Sequence, residues 1–157
     1  MKKVISLFIF LSLIGVLAVT DSCKKDKIKG CMDQDSDKYD PKAEQDDGSC
    51  EFEGYVAFWY DEAASIGLAA DGATSLTFFL DDQVVGSSAT SVYWTASPAC
   101  FANGSITVTL DLGNVKALTY TLSVVDQTGF EYWFADVEVE ANTCLQFQLL
   151  WDKRKKK

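Results

Sequence analysis

The sequence predicts an all-β fold, a single antiparallel two-sheet sandwich of about six to eight strands that is stapled by disulfides. Several segments alternate apolar and polar residues with a period of two, as half-buried strands do. Turn-forming pairs separate these segments at short intervals, which is typical of a sandwich; they are Asp71-Gly72, Asn103-Gly104, Gly113-Asn114 and Thr128-Gly129. Of the five cysteines, four remain if Cys23 is set aside, and this even number favours disulfides in an exported chain.

The alternating segments predict which side chains each strand turns toward the core. Residues 55–60 are apolar at every position, so this first strand is expected to be central or covered. Each later strand has one apolar face, with Ser, Thr, Gln or acidic residues opposite. The predicted inward sets are Leu76, Phe78 and Leu80; Ile106, Val108, Leu110 and Leu112; Leu118, Tyr120, Leu122 and Val124; Trp133, Ala135, Val137 and Val139; and Leu145, Phe147, Leu149 and Trp151. Segment 62–70 fits a helical turn and a loop equally well, because Gly67 weakens a helix.

The N-terminus predicts an export signal. A short basic start, residues 1–3, precedes an uncharged apolar run from residue 4 to residue 19. The run has 16 residues, whereas a helix needs about 20 residues to cross a bilayer core.

Cys23, just past this run, resembles the lipidation site of bacterial lipoproteins. The stretch Ser-Cys-Lys-Lys-Asp at 22–26 is similar to the looser signals of that class, although Thr20 and Asp21 depart from its usual Leu and small residue. The resemblance implies a cleaved signal peptide at 1–22, a lipid on Cys23, and a protein anchored in the bacterial cell envelope at the outer membrane. An uncleaved N-terminal anchor and an ordinary signal peptide are the alternatives.

Composition divides the remaining chain into four segments. A charged tether covers 23–29, an acidic module 30–53, the sandwich domain 54–151 and a basic tail 152–157. The basic tail could bind anionic lipid headgroups, or it could simply keep the end of the chain solvated.

The four cysteines beyond Cys23 allow three disulfide pairings. The segment boundaries favour Cys31–Cys50, which closes the acidic module, and Cys100–Cys144, which closes a long loop in the sandwich domain. Free buried thiols are the alternative.

The acidic module is similar to a short module of exported bacterial proteins. Residues 30–50 contain Gly-Cys-x-Asp, then Tyr-x-Pro-x-Ala, then Asp-Asp-Gly-Ser-Cys, with Lys38 where that module usually has Asn. Its six aspartates repel one another unless a cation neutralises them, and Ca²⁺ accepts many oxygen ligands in flexible geometry. Asp33, Asp46 and Asp47 are therefore candidate calcium ligands, and a solvated acidic spacer is the alternative.

The sandwich domain also resembles a small domain of secreted bacterial lipoproteins. The matching residues are Val56–Trp59, Pro98–Cys100, Tyr132–Trp133, Val137, Val139 and Cys144. The resemblance implies a transthyretin-like or carboxypeptidase-regulatory-like sandwich and implies no activity.

The composition argues against an enzyme and against a nucleic-acid partner. The chain has no histidine, the commonest general base, and carries a net charge of −9. It also lacks nucleophile-elbow, Walker and zinc-ligand motifs.

Aromatic residues near the end of the domain predict a binding surface. Strict alternation places Phe130, Tyr132 and Phe134 on one face, opposite an inward Trp133, where they could stack on a sugar or dock a protein. Ordinary cross-strand aromatic pairing is the alternative. The expected function is therefore a non-enzymatic envelope accessory that binds a protein or has a structural role, with a carbohydrate-binding lipoprotein as the runner-up.

Overall fold

The computed structural model describes residues 26–152, in which nine strands and one short helix confirm the mostly-β prediction. The predicted signal peptide, the predicted lipidation site Cys23 and the basic residues from 153 onward lie outside the described residues. In chain order the elements are β1 (Lys29–Gly30), β2 (Gln45–Asp46), β3 (Phe52–Trp59), α1 (Glu62–Ala70), β4 (Ser75–Leu80), β5 (Gln83–Ala89), β6 (Ile106–Gly113), β7 (Ala117–Asp126), β8 (Glu131–Glu140) and β9 (Cys144–Gln148).

Two sheets form the sandwich. One has three strands in the order β6-β3-β9, and the other has four in the order β5-β4-β7-β8. The inward side chains of both sheets share one core, in which the rings of Phe58 on β3 and Phe78 on β4 lie 5.8 Å apart. In the acidic module, β1 and β2 form a separate two-stranded parallel pair.

The apolar first strand is central, as predicted. β3 lies between β6 and β9, and its residues Val56, Ala57 and Phe58 are all buried. Both faces of this strand carry buried apolar residues, which explains why its sequence lacks alternation.

One pairing differs from the predicted antiparallel sandwich. β9 pairs with β3 in parallel, with Tyr55 opposite Cys144 and Trp59 opposite Gln148. β8 and β9 are joined by a three-residue turn, but they belong to different sheets, so the chain changes sheet instead of forming a hairpin. Side-chain alternation reports which face is buried and carries no information on strand direction.

Most of the predicted inward residues are buried, and Leu118, the second residue of β7, is exposed at 40%. The others are half-buried; they are Ile106, Val108, Tyr120, Ala135, Leu145, Phe147 and Trp151. Strand β5 was not predicted, because its sequence Gln-Val-Val-Gly-Ser-Ser-Ala is mostly exposed and does not alternate.

Segment 62–70 is a helix. Asp61 caps its N-terminus, since the Asp61 carboxylate accepts a hydrogen bond from the Ala64 amide at 2.9 Å. Gly72 ends it with a φ of 87°, a conformation that glycine adopts without strain. Ala64 and Leu68 are fully buried against the core, so tertiary packing outweighs the unfavourable Gly67.

Both predicted disulfides are present. Cys31 is bonded to Cys50, and Cys100 is bonded to Cys144 across a sequence separation of 44 residues. The second bond links the loop before β6 to the first residue of β9 and thus ties the last strand into the sandwich.

Candidate functional site

An open cavity lies on the outside of α1. It has a volume of about 630 Å³ and is termed the aromatic groove. The helix, the start of β8 and the segment after β9 line it. The lining residues are Ala63, Ile66, Gly67, Ala70, Asp71, Phe130, Tyr132, Trp133, Leu150, Trp151 and Asp152.

One face of α1 forms the first wall. Its lining residues stand at positions 63, 66, 67 and 70, which is the spacing of side chains on a single helix face. Ile66 is 64% exposed, although it is a large apolar side chain. The neighbouring face of the helix carries Ala64 and Leu68 into the core, so α1 separates the groove from the core.

Trp151 forms the second wall by packing directly on Gly67. A Cβ atom built on Gly67 would collide with Cε2 of the Trp151 indole. The absent side chain of Gly67 therefore makes the space in which the indole sits.

Trp133 supports the segment that carries Trp151. The Trp133 indole N–H donates a hydrogen bond to the carbonyl of Leu150 at 2.9 Å, and the Leu149 amide donates to the carbonyl of Trp59 at 2.8 Å. Trp133 is stacked on Tyr60 with an interplanar angle of 17°. These contacts fix the backbone after β9, so Leu150 is held 67% exposed at the groove.

A β-bulge places Tyr132 in the groove beside Trp133. Val124 pairs with Trp133 but Val125 pairs with Glu131, which leaves Tyr132 as the extra residue. A bulge interrupts alternation, and accordingly the rings of Tyr132 and Trp133 lie 5.9 Å apart. Tyr132 also contacts Trp151, at 6.0 Å, and Phe130, at 5.0 Å.

The single face predicted for Phe130, Tyr132 and Phe134 is therefore divided in two. Phe130 and Tyr132 line the aromatic groove, whereas Phe134 is 61% exposed and is not among its lining residues. Strict alternation was the wrong assumption here, because the bulge at Tyr132 changes the phase of the strand.

Phe134 belongs to a second surface on the outside of the four-stranded sheet. Strand register places it in one cross-strand row, termed the outer row, which consists of Val84, Phe79, Ser123 and Phe134. Phe79 and Phe134 are two strands apart, a distance of about 10 Å.

Two acidic residues lie among the described residues that line the groove. They are Asp71 and Asp152, and each of them already has an interaction partner. Burial raises the pKa of the Tyr132 phenol, and the negative charges of Asp71 and Asp126 raise it further. Both effects disfavour the tyrosinate form.

The sequence alone did not identify α1 or the C-terminal segment as groove walls. The small and apolar residues at helix spacing in 63–70 could have indicated a groove wall, but only if 62–70 had been known to be helical. No sequence pattern predicted that Leu150 borders the groove, because its exposure depends on the path of the chain after β9.

Lys116 of the sandwich domain forms ion pairs with the acidic module. Its ammonium lies 2.8 Å from a carboxylate oxygen of Asp33 and 2.9 Å from one of Asp35. Asn142 adds a hydrogen bond of 2.6 Å from its side-chain amide to the Asp35 carbonyl. The hydrogen bond from Lys116 lowers the pKa of Asp33, and the two carboxylates raise the pKa of Lys116.

The three candidate calcium ligands are not gathered into a metal site. Asp33 is paired with Lys116, whereas Asp46 and Asp47 accept hydrogen bonds from the amides of Gly48 and Ser49 in their own turns. In the part of the chain that the structure describes, no group of three or more His, Cys, Asp or Glu residues could hold a metal ion.

Comparison with known proteins identifies no family. No protein-family model matches this chain, and searches of curated proteins and of solved structures find no similar protein. Within residues 26–152, no helix is long and apolar enough to span a membrane.

Proposed function

We propose that this chain is an exported, lipid-anchored and non-enzymatic binding protein that captures a partner in the aromatic groove. The observation that carries the proposal is the groove itself, a concave and mainly apolar site that the fold builds from three separate parts of the chain. Its volume falls within the range of ligand pockets, roughly 300–1,000 Å³.

The walls of the groove favour a protein partner. Ile66, Leu150 and Phe130 are 64%, 67% and 46% exposed, and all three border the same cavity. Clustered exposed apolar side chains with a polar rim are typical of interaction sites. Trp133 and Trp151 are anchored by packing and hydrogen bonding, so the aromatic walls lose little conformational freedom when a partner binds.

Adjacent carboxylates occur at Asp61-Glu62 and at Asp81-Asp82, and one member of each pair has a structural use. Asp61 caps α1, and Asp81 accepts a hydrogen bond from the Thr121 amide at 2.8 Å. The sequence contains no histidine to act as a general base. These observations support a binding role over catalysis.

Photocrosslinking on intact cells tests the proposal. A photoreactive amino acid replaces Ile66 in the groove or, as a matched control, Phe101 in the loop before β6, which belongs neither to the groove lining nor to the outer row. The two side chains are almost equally exposed, at 64% and 63%, so solvent accessibility does not bias the comparison. We expect position 66 to yield one dominant protein adduct that position 101 does not yield, as read by mass spectrometry.

Two results would contradict this proposal. Identical adduct patterns from positions 66 and 101 would mean that the groove has no preferred partner. If position 66 yields only glycan adducts, the groove binds a sugar and not a protein.

The outer row supports a second candidate function, carbohydrate binding on a sheet face. Phe79 and Phe134 are in register across one intervening strand, with the Ser123 hydroxyl between them. Phe134 is exposed and Phe79 is half-buried, and accessible rings with neighbouring hydroxyl groups suit the alternating apolar and polar surfaces of sugars. In a sedimentation assay with insoluble glycans, Phe134→Ala is expected to abolish binding and Phe130→Ala to leave it intact. Binding that survives Phe134→Ala would remove this candidate.

The lipid anchor at Cys23 and the family resemblances are parts of the same proposal. Two disulfides in a small β-rich domain support a location outside the cytoplasm. The two-sheet sandwich is compatible with a transthyretin-like or carboxypeptidase-regulatory-like relationship. The closed loop of residues 31–50 is compatible with the acidic module of exported bacterial proteins.

A further inference from the structure

We infer that Asn103 is a covalent modification site, at which the chain converts its own asparagine to aspartate and isoaspartate without an enzyme. The site lies in the loop before β6, apart from the residues that line the aromatic groove. The inference therefore does not depend on the proposed function. It rests on the turn that holds Asn103 and on a contrast with the other asparagines of the sequence.

Asn103 and Gly104 occupy the two central positions of a tight turn. The Ser105 amide donates a hydrogen bond to the Ala102 carbonyl at 2.9 Å, which closes the turn. Gly104 has a φ of 87° and Asn103 has no positive φ, as in a type II turn. Both residues are exposed, and open space lies where a Gly104 side chain would point.

The reacting groups of this turn are free. Among the described residues, neither the Asn103 side chain nor the Gly104 backbone N–H has a hydrogen-bond partner. The Asn103 carbonyl accepts no hydrogen bond there either, so no contact restrains the peptide unit between the two residues. The Gly104 nitrogen also has no side chain beside it to block its approach to the asparagine amide.

The modification proceeds in two balanced steps. First, the Gly104 nitrogen attacks Cγ of Asn103, which forms a C–N bond and breaks the bond from Cγ to Nδ2. Ammonia leaves with the proton of the Gly104 nitrogen, and a succinimide ring remains. Water then opens this ring at either carbonyl, which yields aspartate or isoaspartate at position 103. The net change consumes water and replaces a neutral amide with a carboxylate.

Asn114 differs from Asn103 in the residue that follows it. The nitrogen that would attack belongs to Val115, and its N–H already donates a hydrogen bond to the Leu112 carbonyl at 3.4 Å. The stiff, β-branched side chain of Val115 also crowds this nitrogen. We therefore expect Asn114 to react more slowly than Asn103, although both are exposed.

Asn142 is held by hydrogen bonds at both reacting groups. Its side-chain amide donates to the Asp35 carbonyl at 2.6 Å, and the following Thr143 amide donates to the Glu140 carbonyl at 3.3 Å. Asn103, Asn114 and Asn142 are the only asparagines in the sequence. The other two therefore serve as internal controls for Asn103 within the same molecule.

The modification gives a charge to a neutral part of the chain. Residues 83–110, which include β5 and the start of β6, contain no Asp, Glu, Lys or Arg. Isoaspartate also lengthens the backbone of the turn by a carbon atom. The Cys100–Cys144 disulfide and the hydrogen bond from the Phe101 amide to the Thr107 hydroxyl hold the loop on both sides of the turn. The change is therefore local, and the sandwich stays folded.

Isotope labelling with peptide mapping tests the inference. The purified full-length chain is incubated in H₂¹⁸O at neutral and at mildly alkaline pH and is then digested in acid. Mass spectrometry follows the peptides that contain each asparagine, and chromatography separates aspartate from isoaspartate forms. Asn103→Gln is the matched control, because it keeps an amide but moves it a methylene further from the backbone, so that attack must form a larger ring.

We expect conversion at Asn103 to be complete before conversion at Asn114 or Asn142 is detected. Each converted peptide should carry a single oxygen atom from the labelled water and should be a mixture of aspartate and isoaspartate. Conversion should be faster at the higher pH, because the attacking nitrogen must lose its proton. The Asn103→Gln variant should show a loss of conversion at position 103.

Three results would overturn the inference. If Asn103 stays intact in the folded chain, the turn keeps the nitrogen away from the amide; conversion in a sample unfolded in urea confirms that the assay detects the reaction. Aspartate without isoaspartate would mean that water hydrolyses the side chain directly and that Gly104 takes no part. Equal rates at all three asparagines would mean that the hydrogen bonds around Asn114 and Asn142 give no protection.

Discussion

At the scale of single residues, Gly67 controls the shape of the aromatic groove. In a helix, Gly→Ala normally stabilises by about 0.5–1 kcal/mol. Here the added methyl group would collide with the Trp151 indole. We expect Gly67→Ala to destabilise the protein by about 1–3 kcal/mol, because overpacking must displace the indole. Urea unfolding measures this change, and a red shift of tryptophan emission would report the displaced ring.

A double-mutant cycle provides the control for Gly67→Ala. In a Trp151→Ala background the collision is absent, so Ala at position 67 should stabilise through helix propensity. A destabilising effect of similar size in both backgrounds would contradict the assigned contact between Gly67 and Trp151.

Cys23 is the second residue with a direct prediction. If lipid on its thiol anchors the mature chain, Cys23→Ala should move the protein from the membrane fraction to the soluble fraction, because a loss of acyl chains removes the apolar attachment. Cell fractionation with immunoblotting measures this, and Ser22→Ala is the adjacent control. Membrane retention of Cys23→Ala would favour an uncleaved N-terminal anchor.

At the scale of structural elements, Asp126 organises the β7–β8 hairpin that leads into the groove. One oxygen of its carboxylate accepts hydrogen bonds from the Thr128 amide, the Thr128 hydroxyl and the Phe130 amide. The side chain is buried, at 8% exposed. Burial alone would raise the pKa of Asp126, but these hydrogen bonds outweigh it and lower the pKa.

The lowered pKa of Asp126 predicts loss of stability in acid. A carboxyl group with a depressed folded pKa stabilises the fold above its unfolded pKa, about 3.9, and loses that contribution as pH falls through the folded value. Asp126→Asn keeps an acceptor oxygen but has no titrating group, so its stability should fall less below about pH 4. Asp126→Ala should cost about 1–3 kcal/mol at neutral pH, since three donors lose their acceptor.

Urea unfolding at a series of pH values from neutral to acid tests the role of Asp126. The outcome that would refute it is an acid loss of stability in Asp126→Asn equal to that of the unmodified protein. Asp136→Asn on the outward face of β8 controls for a general change in net charge.

At the scale of the whole molecule, the two disulfides are expected to stabilise different units. Cys100–Cys144 closes a loop of about 45 residues inside the sandwich, worth about 4 kcal/mol in the chain-entropy model. Replacing both cysteines with serine should lower the unfolding free energy of the whole domain by roughly this amount. Cys31–Cys50 closes only the acidic module. Its removal should free the module and leave the sandwich folded.

Hydrogen exchange separates these two effects. In the Cys31→Ser, Cys50→Ser variant, amides of residues 31–50 should exchange rapidly while those of β3 and β7 stay protected. Uniform loss of protection across both sheets would mean that the module and the sandwich unfold as one unit. The contacts of Lys116 with Asp33 and Asp35 are exposed and contribute little to such coupling.

The sequence alone determined the fold class, the buried faces of most strands and both disulfides. These features follow from local information: alternation with a period of two reports the buried face of a strand, and the parity and spacing of cysteines limit their pairing. The apolar run at 55–60 likewise marked β3 as central.

Only the tertiary structure decided the parallel pairing of β9 with β3, the attachment of the acidic module through Lys116, and the aromatic groove. Each joins residues far apart in the chain, as Gly67 and Trp151 do across 84 positions. The bulge at Tyr132 also divided a face that alternation had predicted to be continuous. Local sequence patterns indicate which face of a strand is buried. The path of the chain between the sheets decides which exposed side chains meet.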